Sequence, residues 1–247
     1  MADFRKQLYD KYHSTFKQHY IKDGFISKKS EYDYFRLKFL PLIRGYNTNS
    51  SILDLGCGQG ILMDFLRKSG YTNLQGIDIS EEQIAIAKKS ILNVKVSDAF
   101  AFLNGSQKFD IIFALDFVEH FYKDELIRLV EIIFDHIAPG GCLVIRTPNG
   151  NAIYANKIIY GDLTHLTIFN HSSLSQLLNL YGFDRIEFYE TGPIPKSIKG
   201  LVGFILWKII RLIFNMIRFI EVGQTEKYLT QEFICKATNP NLIVDKL

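Results

Sequence analysis

Apolar and polar positions after residue 50 follow two alternating patterns. Short apolar runs rich in β-branched and aromatic residues predict strands, and the stretches between them have the apolar spacing of helices. This alternation implies right-handed crossovers between parallel strands, with helices on both faces of the sheet. We therefore predict an α/β fold with a doubly wound, mostly parallel sheet. The strand runs are SILDLG, LQGIDI, VKVSD, DIIFALDF, CLVIRTP, RIEFYE and YLTQEFICKAT, and the helices lie near 60–69, 81–90, 123–137 and 172–181.

The last of the seven predicted strands follows a long helical insertion. The alternation alone leaves its direction open, and we predict that it returns antiparallel. The chain is then a single domain, 1–247, and residues 1–44 form an N-terminal helical segment. Within that segment, EYDYFRLKFLPLI has helical spacing, which favours an amphipathic helix packing its aromatics on the sheet over a lid on a cofactor site. The other parts are a core at 50–190, an insertion or lid at 191–227, and the last strand and tail at 228–247.

Composition limits the class of protein. With 247 residues, 47% of them hydrophobic, the chain can bury the core of one ordinary domain. The 29 basic residues exceed the 26 acidic ones by only three, which does not indicate a nucleic-acid partner. The N-terminus lacks the pattern of a signal peptide, so we expect a cytoplasmic protein. Three widely spaced cysteines argue against a zinc site and a disulfide framework: Cys57, Cys142 and Cys235.

A glycine-rich loop follows the first predicted strand. The segment ILDLGCGQG, 52–60, places glycines at GxGxG spacing directly before a helix. Glycines there let the backbone turn sharply and approach a ligand at the carboxyl edge of the sheet, where open α/β folds bind nucleotides. A dinucleotide fingerprint needs GxGxxG, whereas Gly60 comes one residue early and is followed by Ile61. The loop therefore indicates a nucleoside-like ligand other than NAD.

These segments together resemble the class I S-adenosylmethionine-dependent methyltransferases. ILDLGCGQG is similar to the first motif of that family, and GIDIS, SDAF, FDIIFALDFVEHF and APGGCLVIRTPN match later motifs in order across residues 50–190. The resemblance implies a Rossmann-like seven-stranded sheet and S-adenosylmethionine as the cofactor, with S-adenosylhomocysteine as its product. It also implies that the chain is an enzyme.

The resemblance assigns cofactor-binding roles to individual residues. Asp54 would accept backbone hydrogen bonds or reach the cofactor's amino group through water, and Asp78 would bind both ribose hydroxyls. Asp98 would contact the adenine amino group. For Asp54 and Asp98 the alternative is that each caps its own loop. The remaining positions that the resemblance places in the cofactor site are Gly56, Gly58, Gly60, Ile79, Ala99 and Leu115.

Methyl transfer from a sulfonium needs in-line geometry and, for a hydroxyl acceptor, a base. After the fourth strand the chain reads LDFVEHF and lacks the Asn/Asp-Pro-Pro-aromatic motif of enzymes that act on base or amide nitrogens. His165 is the first candidate base, with Asp162 three residues earlier able to orient it, and His120 is the second. A structural role is the alternative for both histidines. The predicted reaction requires no metal.

The acceptor class follows only from a looser resemblance. The segment D-x-T-H around His165, followed by a helix ending in LLNLYGF, is similar to one in enzymes of surface-glycan biosynthesis and in ubiquinone-pathway O-methyltransferases. It implies O-methylation of a small molecule, sugar or lipid-linked glycan intermediate. The alternatives are a lipid or quinone acceptor at the membrane surface, and an inactive cofactor-binding partner subunit.

An apolar stretch at 200–220 carries a basic stripe. On a helix, Lys208, Arg211, Asn215 and Arg218 fall within about 80° of one another and the rest of the circumference is apolar. Such a helix can lie on an anionic membrane surface. Its position after the sixth strand predicts that it also roofs the acceptor pocket. A core helix or a homodimer interface is an equally open interpretation, and a membrane span is the least favoured because it would bury charges.

Overall fold

A computed structural model describes residues 4–12, 14–15, 28–90 and 93–240. A 3-10 helix, Val118–His120, follows the fourth strand. The described strands are β1 (Ile52–Leu55), β2 (Leu74–Asp78), β3 (Val94–Val96), β4 (Phe109–Leu115), β5 (Ile137–Pro148), β6 (Asp184–Glu190) and β7 (Glu232–Thr238). The described helices are α1 (Phe4–Asp10), α2 (Lys28–Lys38), α3 (Leu40–Ile43), α4 (Ile61–Lys68), α5 (Glu81–Ala87), α6 (Ala99–Phe102), α7 (Lys123–His136), α8 (Asn156–Tyr160), α9 (His171–Leu180) and α10 (Ile198–Val222).

The seven strands form one sheet in the order β3-β2-β1-β4-β5-β7-β6. Strands β1 to β5 pair in parallel, and β7 runs antiparallel to both β5 and β6. The predicted fold class, including the antiparallel last strand, is confirmed. The strand order reverses at β1 and β4, so a crevice opens at their carboxyl ends, where ligands bind in open α/β sheets.

Helices cover both faces of this sheet. All four residues of Ile52–Leu55 are buried, as expected for a central parallel strand. One apolar cluster packs β4 and β5 against α7 and α9, and the other packs the opposite face against α2 and α4. Phe35 and Phe39 are buried in the second cluster, where Phe39 lies 6.4 Å, centroid to centroid, from Phe113 of β4. Phe39, directly after α2, therefore packs on the sheet, and Phe35 of α2 packs beside it, as the sequence pattern predicts.

Three features of the described elements differ from the sequence pattern. Strand β5 begins at Ile137, five residues before the apolar run at Cys142, and the pairing register with β4 shifts near its start. The short helices α6 and α8 have no clear periodicity because each is only four or five residues long. The first difference lies at the end of a strand and the other two are short additional helices, and all three leave the predicted order of strands unchanged.

Helix α10 is oriented with Arg211 and Asn215 toward the protein body, whereas a basic stripe that contacts a membrane would face outward. The Arg211 guanidinium bonds Glu190 and also donates to the Lys227 carbonyl at 2.9 Å. The Asn215 side chain accepts from Glu226 N at 2.7 Å and donates to its carbonyl at 3.1 Å. The polar stripe thus packs on the protein at these two positions.

The opposite side of α10 is apolar and faces outward. No residue of the helix is buried. Among the described residues, it is the one helix long and apolar enough to cross a bilayer by length and composition. An outward ridge spaced by three or four residues consists of Ile205, Ile209, Leu212, Met216 and Ile220, which are 49–78% exposed.

Asp64, in the first turn of α4, is a buried carboxylate surrounded by positively charged side chains. Asp64 is 3% exposed and pairs with Lys28, Arg67 and Lys68 at 2.7–3.2 Å, while the Tyr32 hydroxyl also donates to it. Burial opposes ionisation, but these hydrogen bonds hold the pKa of Asp64 below its usual value. The carboxylate therefore stabilises the fold above about pH 4, and this contribution is lost as the pH falls through the lowered folded-state pKa.

We expect Asp64→Asn to lower the free energy of unfolding at neutral pH by about 1–3 kcal/mol, because it leaves charged donors around a neutral amide. Urea unfolding at neutral pH and in acid measures this difference, which should shrink as the pH falls below about 4. Glu131→Gln, at an exposed position of α7, is the control. An Asp64→Asn loss that stayed constant through the acid range would contradict the ionic origin of the effect.

Candidate active site

The loop between β1 and α4 requires glycine at its turning points. Gly56, Gly58 and Gly60 have φ values of +70°, +53° and +72°, in the left-handed region that side chains disfavour. A Cβ atom on Gly56 would lie 2.7 Å from the Phe117 ring. The loop therefore approaches the end of β4 closely; Gly56 and Gly58 line the cavity described below, whereas Gly60 is buried outside its lining.

Asp78 at the end of β2 fixes this loop. Its Oδ2 accepts from Gly58 N at 2.8 Å, and its Oδ1 accepts from Ser80 N at 2.8 Å. A carboxylate oxygen has two lone pairs, so both oxygens can also accept from neighbouring hydroxyls of a ribose. The structure places Asp78 in the wall of the cavity described below. This arrangement fits the predicted role of Asp78.

Asp54 is a buried carboxyl beneath the glycine loop, only 3% exposed. Burial, together with the negative charge of Asp78, raises its pKa to about 8, against the opposing effect of Arg146. A buried carboxyl in this state is stabilised in its ionised form by any cation that binds beside it.

The other predicted cofactor positions also line the crevice. Asp98 caps α6 by accepting from Phe100 N at 2.8 Å and Ala101 N at 3.3 Å, which is the capping role considered above as the alternative. It nevertheless lines the cavity. Ile79 is 48% exposed there and offers an apolar surface of the kind on which a planar base can pack. Ala99 and Leu115 complete the lining on this side.

One cavity of about 1310 Å³ contains both the glycine loop and the candidate catalytic residues. This exceeds the roughly 300–1,000 Å³ of a typical small-molecule pocket. The volume is therefore sufficient for a nucleoside cofactor and a second molecule. The lining also includes His120, Asp162 and His165.

An ion pair joins the ends of β4 and β5 in the lining of this cavity, with Arg146 largely enclosed and Asp116 exposed. Arg146 Nε donates to Asp116 Oδ1 at 2.8 Å and its Nη2 donates to the other oxygen, while Glu232 lies 4.0 Å from Nε. Burial opposes the charge of Arg146, but the adjacent carboxylates raise its pKa. Burial raises the pKa of Glu232 to about 7. Sequence analysis did not identify these residues because their pairing joins separate strands.

The two predicted histidines lie together, with ring centroids 5.1 Å apart. His165 Nδ1 lies 3.2 Å from the Ile159 carbonyl oxygen, so this nitrogen carries the proton in that contact and Nε2 holds the lone pair. Burial and the neighbouring ring of His165 lower the pKa of His120. The structure therefore brings together a pair of imidazoles that the sequence placed on separate segments.

Asp162 has different partners from the one predicted. Its carboxylate accepts from the Thr164 backbone at 2.9 Å, from the Thr164 hydroxyl at 2.6 Å and from the Tyr12 hydroxyl. Among the described residues its side chain has no hydrogen bond to the ring of His165. The short Asp-x-Thr-His turn directs the carboxylate back onto its own backbone, so the expected orientation of His165 by Asp162 is not observed.

Glu119 lies beside His120 and His165 in the cavity lining, and it has no exposed surface. A carboxylate oxygen of Glu119 and one ring nitrogen each of His120 and His165 lie within 4.8 Å of one another. Burial and the charge of Asp116 raise the pKa of Glu119 well above its usual value. The dipeptide Glu119–His120 was the only signal in the sequence, since His165 lies 45 residues further along.

Helix α1 covers the cavity, whereas the insertion does not. Arg5 forms a bidentate pair with Glu125 at 2.8 Å, and Tyr9 packs edge-on against His120 at 6.0 Å. None of the described residues of 191–227 lines the cavity. The expected roof at 200–220 is therefore corrected: β6 is the edge strand, three strands away from β4.

The comparison with protein families agrees with this geometry. The family described as a methyltransferase domain matches residues 28–187, which is more than half of the chain. The chain therefore belongs to that family. Fold and family together define it as a class I S-adenosylmethionine-dependent methyltransferase that acts on small molecules.

Sequence relatives are distant. A ubiquinone biosynthesis O-methyltransferase of Hydrogenovibrio crunogenus is 26% identical over 165 residues, which are 60% of this chain and 67% of the relative. One from Coxiella burnetii is 33% identical over 106 residues, which are 40% of this chain and 44% of the relative. The match thus spans about two thirds of the first relative and less than half of the second.

Solved structures show the same fold. An S-adenosylmethionine-dependent methyltransferase from Archaeoglobus fulgidus has a TM-score of 0.68 at 21% identity, covering 90% of this chain and 99% of its own. Magnesium protoporphyrin IX methyltransferase from Synechocystis, with bound S-adenosylmethionine, has a TM-score of 0.60 at 14% identity, covering 97% and 98%. The cofactor of this chain is S-adenosylmethionine. Its sulfonium supplies the methyl group, and the acidic loop around Asp54 and Asp78 fits a cationic ligand.

We expect cofactor affinity to depend on the ionisation of Asp54. A cation beside this carboxyl favours its charged form, so binding should release a proton. Because the unliganded pKa is about 8, the dissociation constant should rise up to about tenfold per pH unit as the pH falls between about 7.5 and 6. Calorimetric titration with S-adenosylmethionine in buffers of different ionisation enthalpy measures both the affinity and the proton release.

Asp54→Asn should bind more weakly at about pH 7.5 and should lose this pH dependence. Adenosine, which lacks the cationic amino-acid part, is the matched ligand control and should bind the parent protein equally well across the range. An unchanged pH dependence in Asp54→Asn would assign the linkage to another group.

Proposed function

We propose that this methyltransferase transfers the methyl group to a hydroxyl of a small-molecule acceptor, most specifically a sugar or lipid-linked glycan intermediate. The observation that carries the proposal is the pair of imidazoles, His120 and His165, in the wall of the cofactor cavity. A hydroxyl must lose its proton as it is methylated, and an imidazole is the side chain best suited to accept it near neutral pH.

His165 is the first choice of base because Nε2 retains its lone pair when Nδ1–H donates to Ile159. His120 is the second choice, since both of its ring nitrogens already face backbone carbonyl oxygens at 3.1 Å. Asp162 supports the site indirectly, by fixing the turn that carries His165 through its bonds to Thr164. In this arrangement Asp162 is a positioning residue.

The distant relatives support oxygen as the acceptor atom, because both are named as O-methyltransferases of ubiquinone biosynthesis. They also favour a quinone or lipid acceptor as the second candidate. The cavity accommodates either class, since it is large and its wall combines Tyr9, Tyr12 and Phe121 with charged side chains.

Helix α10 supports an acceptor that lies in or near a membrane. Its outward face consists of large apolar side chains, while Arg211 and Asn215 bond the protein body. A helix with this arrangement can enter the boundary between headgroups and acyl chains, with Lys208 at its exposed edge. We therefore propose peripheral contact with the inner face of the cytoplasmic membrane. A homodimer formed through the same face is the competing arrangement.

We expect His165→Ala to lower turnover about 100-fold or more, because general base catalysis contributes at least that factor. Affinity for S-adenosylmethionine should remain within about twofold, since His165 lies outside the glycine loop. Formation of S-adenosylhomocysteine with hydroxylated glycolipids and with hydroquinones measures turnover, and calorimetry measures affinity.

His171→Ala is the matched control, because His171 lies at the start of α9 and outside the cavity lining. It should retain turnover. If His165→Ala matched the parent, His165 would be removed from the mechanism. A protein that bound cofactor but transferred no methyl group to any acceptor would be the inactive partner subunit considered above.

We expect Leu212→Glu with Met216→Glu to reduce flotation with phosphatidylglycerol vesicles at least about tenfold, because burying each apolar side chain is worth about 1.5–3 kcal/mol. Centrifugation in a sucrose gradient, in which vesicles and bound protein float, measures the bound fraction. Ile127→Glu with Leu180→Glu is the matched control, since both residues are exposed and apolar but lie on α7 and α9. Its flotation should equal that of the parent.

The same variants distinguish a membrane surface from a second copy of the chain. A parent protein that did not float, but whose dimer dissociated in the Leu212→Glu and Met216→Glu variant, would identify the outward face of α10 as a homodimer interface. Light scattering in the absence of vesicles measures that state.

A further inference from the structure

The cavity lining contains three side chains of types that commonly ligate metal ions. Glu119, His120 and His165 each offer one ligand atom, and these atoms lie within 4.8 Å of one another. Two of the residues adjoin in the 3-10 helix after β4, and the third comes from the turn before α9. Two imidazoles and one carboxylate are the protein ligands of many catalytic zinc sites, in which further positions stay open for a substrate.

The carboxylate of Glu119 is incompletely satisfied among the described residues. Its Oε2 accepts from the Thr147 hydroxyl at 3.1 Å, whereas Oε1 is buried and has no hydrogen-bond partner there. An unpaired carboxylate oxygen with no solvent exposure is strongly unfavourable. A bound cation would provide the missing partner.

The contacts of His120 give a second, independent indication. Nδ1 lies 3.1 Å from the Thr164 carbonyl oxygen, and Nε2 lies 3.1 Å from the Asp116 carbonyl oxygen. A neutral imidazole has only one N–H, so one of these contacts sets a nitrogen lone pair against an oxygen lone pair. A cation beside that nitrogen converts the repulsion into coordination.

We propose that Glu119, His120 and His165 form a site for a divalent transition-metal ion, with Zn²⁺ as the best match to two nitrogen donors and one oxygen donor. The proposal rests on the proposed function, which it deepens, and it departs from the expectation of a metal-free reaction. Ligand atoms 2.0–2.1 Å from a tetrahedral zinc are about 3.3 Å apart, so the three side chains must move closer on binding.

The ion would change the way in which the acceptor loses its proton. A hydroxyl that approaches a divalent cation becomes more acidic, and its proton then passes to water. The oxygen lone pair forms the new O–CH₃ bond as the S–CH₃ bond breaks, and sulfur leaves with that electron pair as a neutral thioether. The charge of the ion does not change. With the ion present His165 is a ligand, and without it His165 is the base.

Titration of the chelator-treated, full-length protein with CoCl₂ and with ZnCl₂ tests the site without any acceptor. We expect one equivalent of Co²⁺ to give the visible absorption of a four- or five-coordinate ion, and one equivalent of Zn²⁺ to displace it. Glu119→Gln and His165→Ala should each weaken binding at least tenfold, whereas His171→Ala should bind as the parent does. Retained affinity for S-adenosylhomocysteine shows that each variant is folded.

Absence of stoichiometric binding, or equal binding by Glu119→Gln and the parent, would overturn the proposal. Turnover then tests the role of the ion: chelation should reduce it at least tenfold and ZnCl₂ should restore it. Turnover that is insensitive to chelation would overturn the catalytic role.

Failure of the proposed function has a different signature. Stoichiometric metal binding by a protein that methylates no hydroxyl compound would reject O-methylation and leave the metal site in place. Methylation of hydroxyl compounds by a protein that binds no metal would reject the metal site and leave O-methylation in place.

Discussion

The ion pair between Arg146 and Asp116 is the interaction on which both halves of the site depend. It joins the carboxyl ends of β4 and β5, and the Asp116 backbone has a left-handed φ of +51° there. That conformation turns the chain into the 3-10 helix that carries Glu119 and His120. Removal of Asp116 would take away the nearest carboxylate of Arg146, whose side chain is only 18% exposed, although Asp116 itself is 42% exposed and the pair is partly screened by solvent. The acceptor side is therefore built on the same ion pair that closes the crevice beneath the cofactor loop.

This single cation is surrounded by more carboxyl groups than it can neutralise. Burial is the main cause of the raised pKa values of Asp54, about 8, and Glu232, about 7; the negative charges of Asp78 and Asp116, respectively, add to it, while Arg146 opposes it. A cavity in that state favours ligands that bring positive charge. A sulfonium cofactor satisfies this requirement only while it carries its methyl group, so the product loses part of the attraction when the transfer is complete.

The sequence contained enough information for the sheet and the cofactor side, because those features are local. Strand and helix periodicity predicts the order of elements, and the resemblance to a known family, carried by the glycines before α4 and the later motifs, implies the cofactor residues, among them Asp78 at a strand end. The acceptor side depends on contacts between distant segments. The bond between Tyr12 and Asp162 and the approach of Glu119 to His165 join such segments, whereas the bond between Asp162 and Thr164 is local; none of the three follows from periodicity.

Helix α10 is another element for which the sequence pattern predicts only part of the structure. Periodicity correctly groups its polar residues into a stripe, but a stripe has no direction until the surface beside it is known. Adjacent segments of the same chain supply Glu190 and the polar backbone around Glu226. These groups form hydrogen bonds with Arg211 and Asn215. The polar side chains Arg211 and Asn215 are thus bonded to the protein, and the apolar face of α10 is directed outward. Large exposed apolar faces are typical of surfaces that contact a membrane or another protein, which is the basis of the proposed contact through α10.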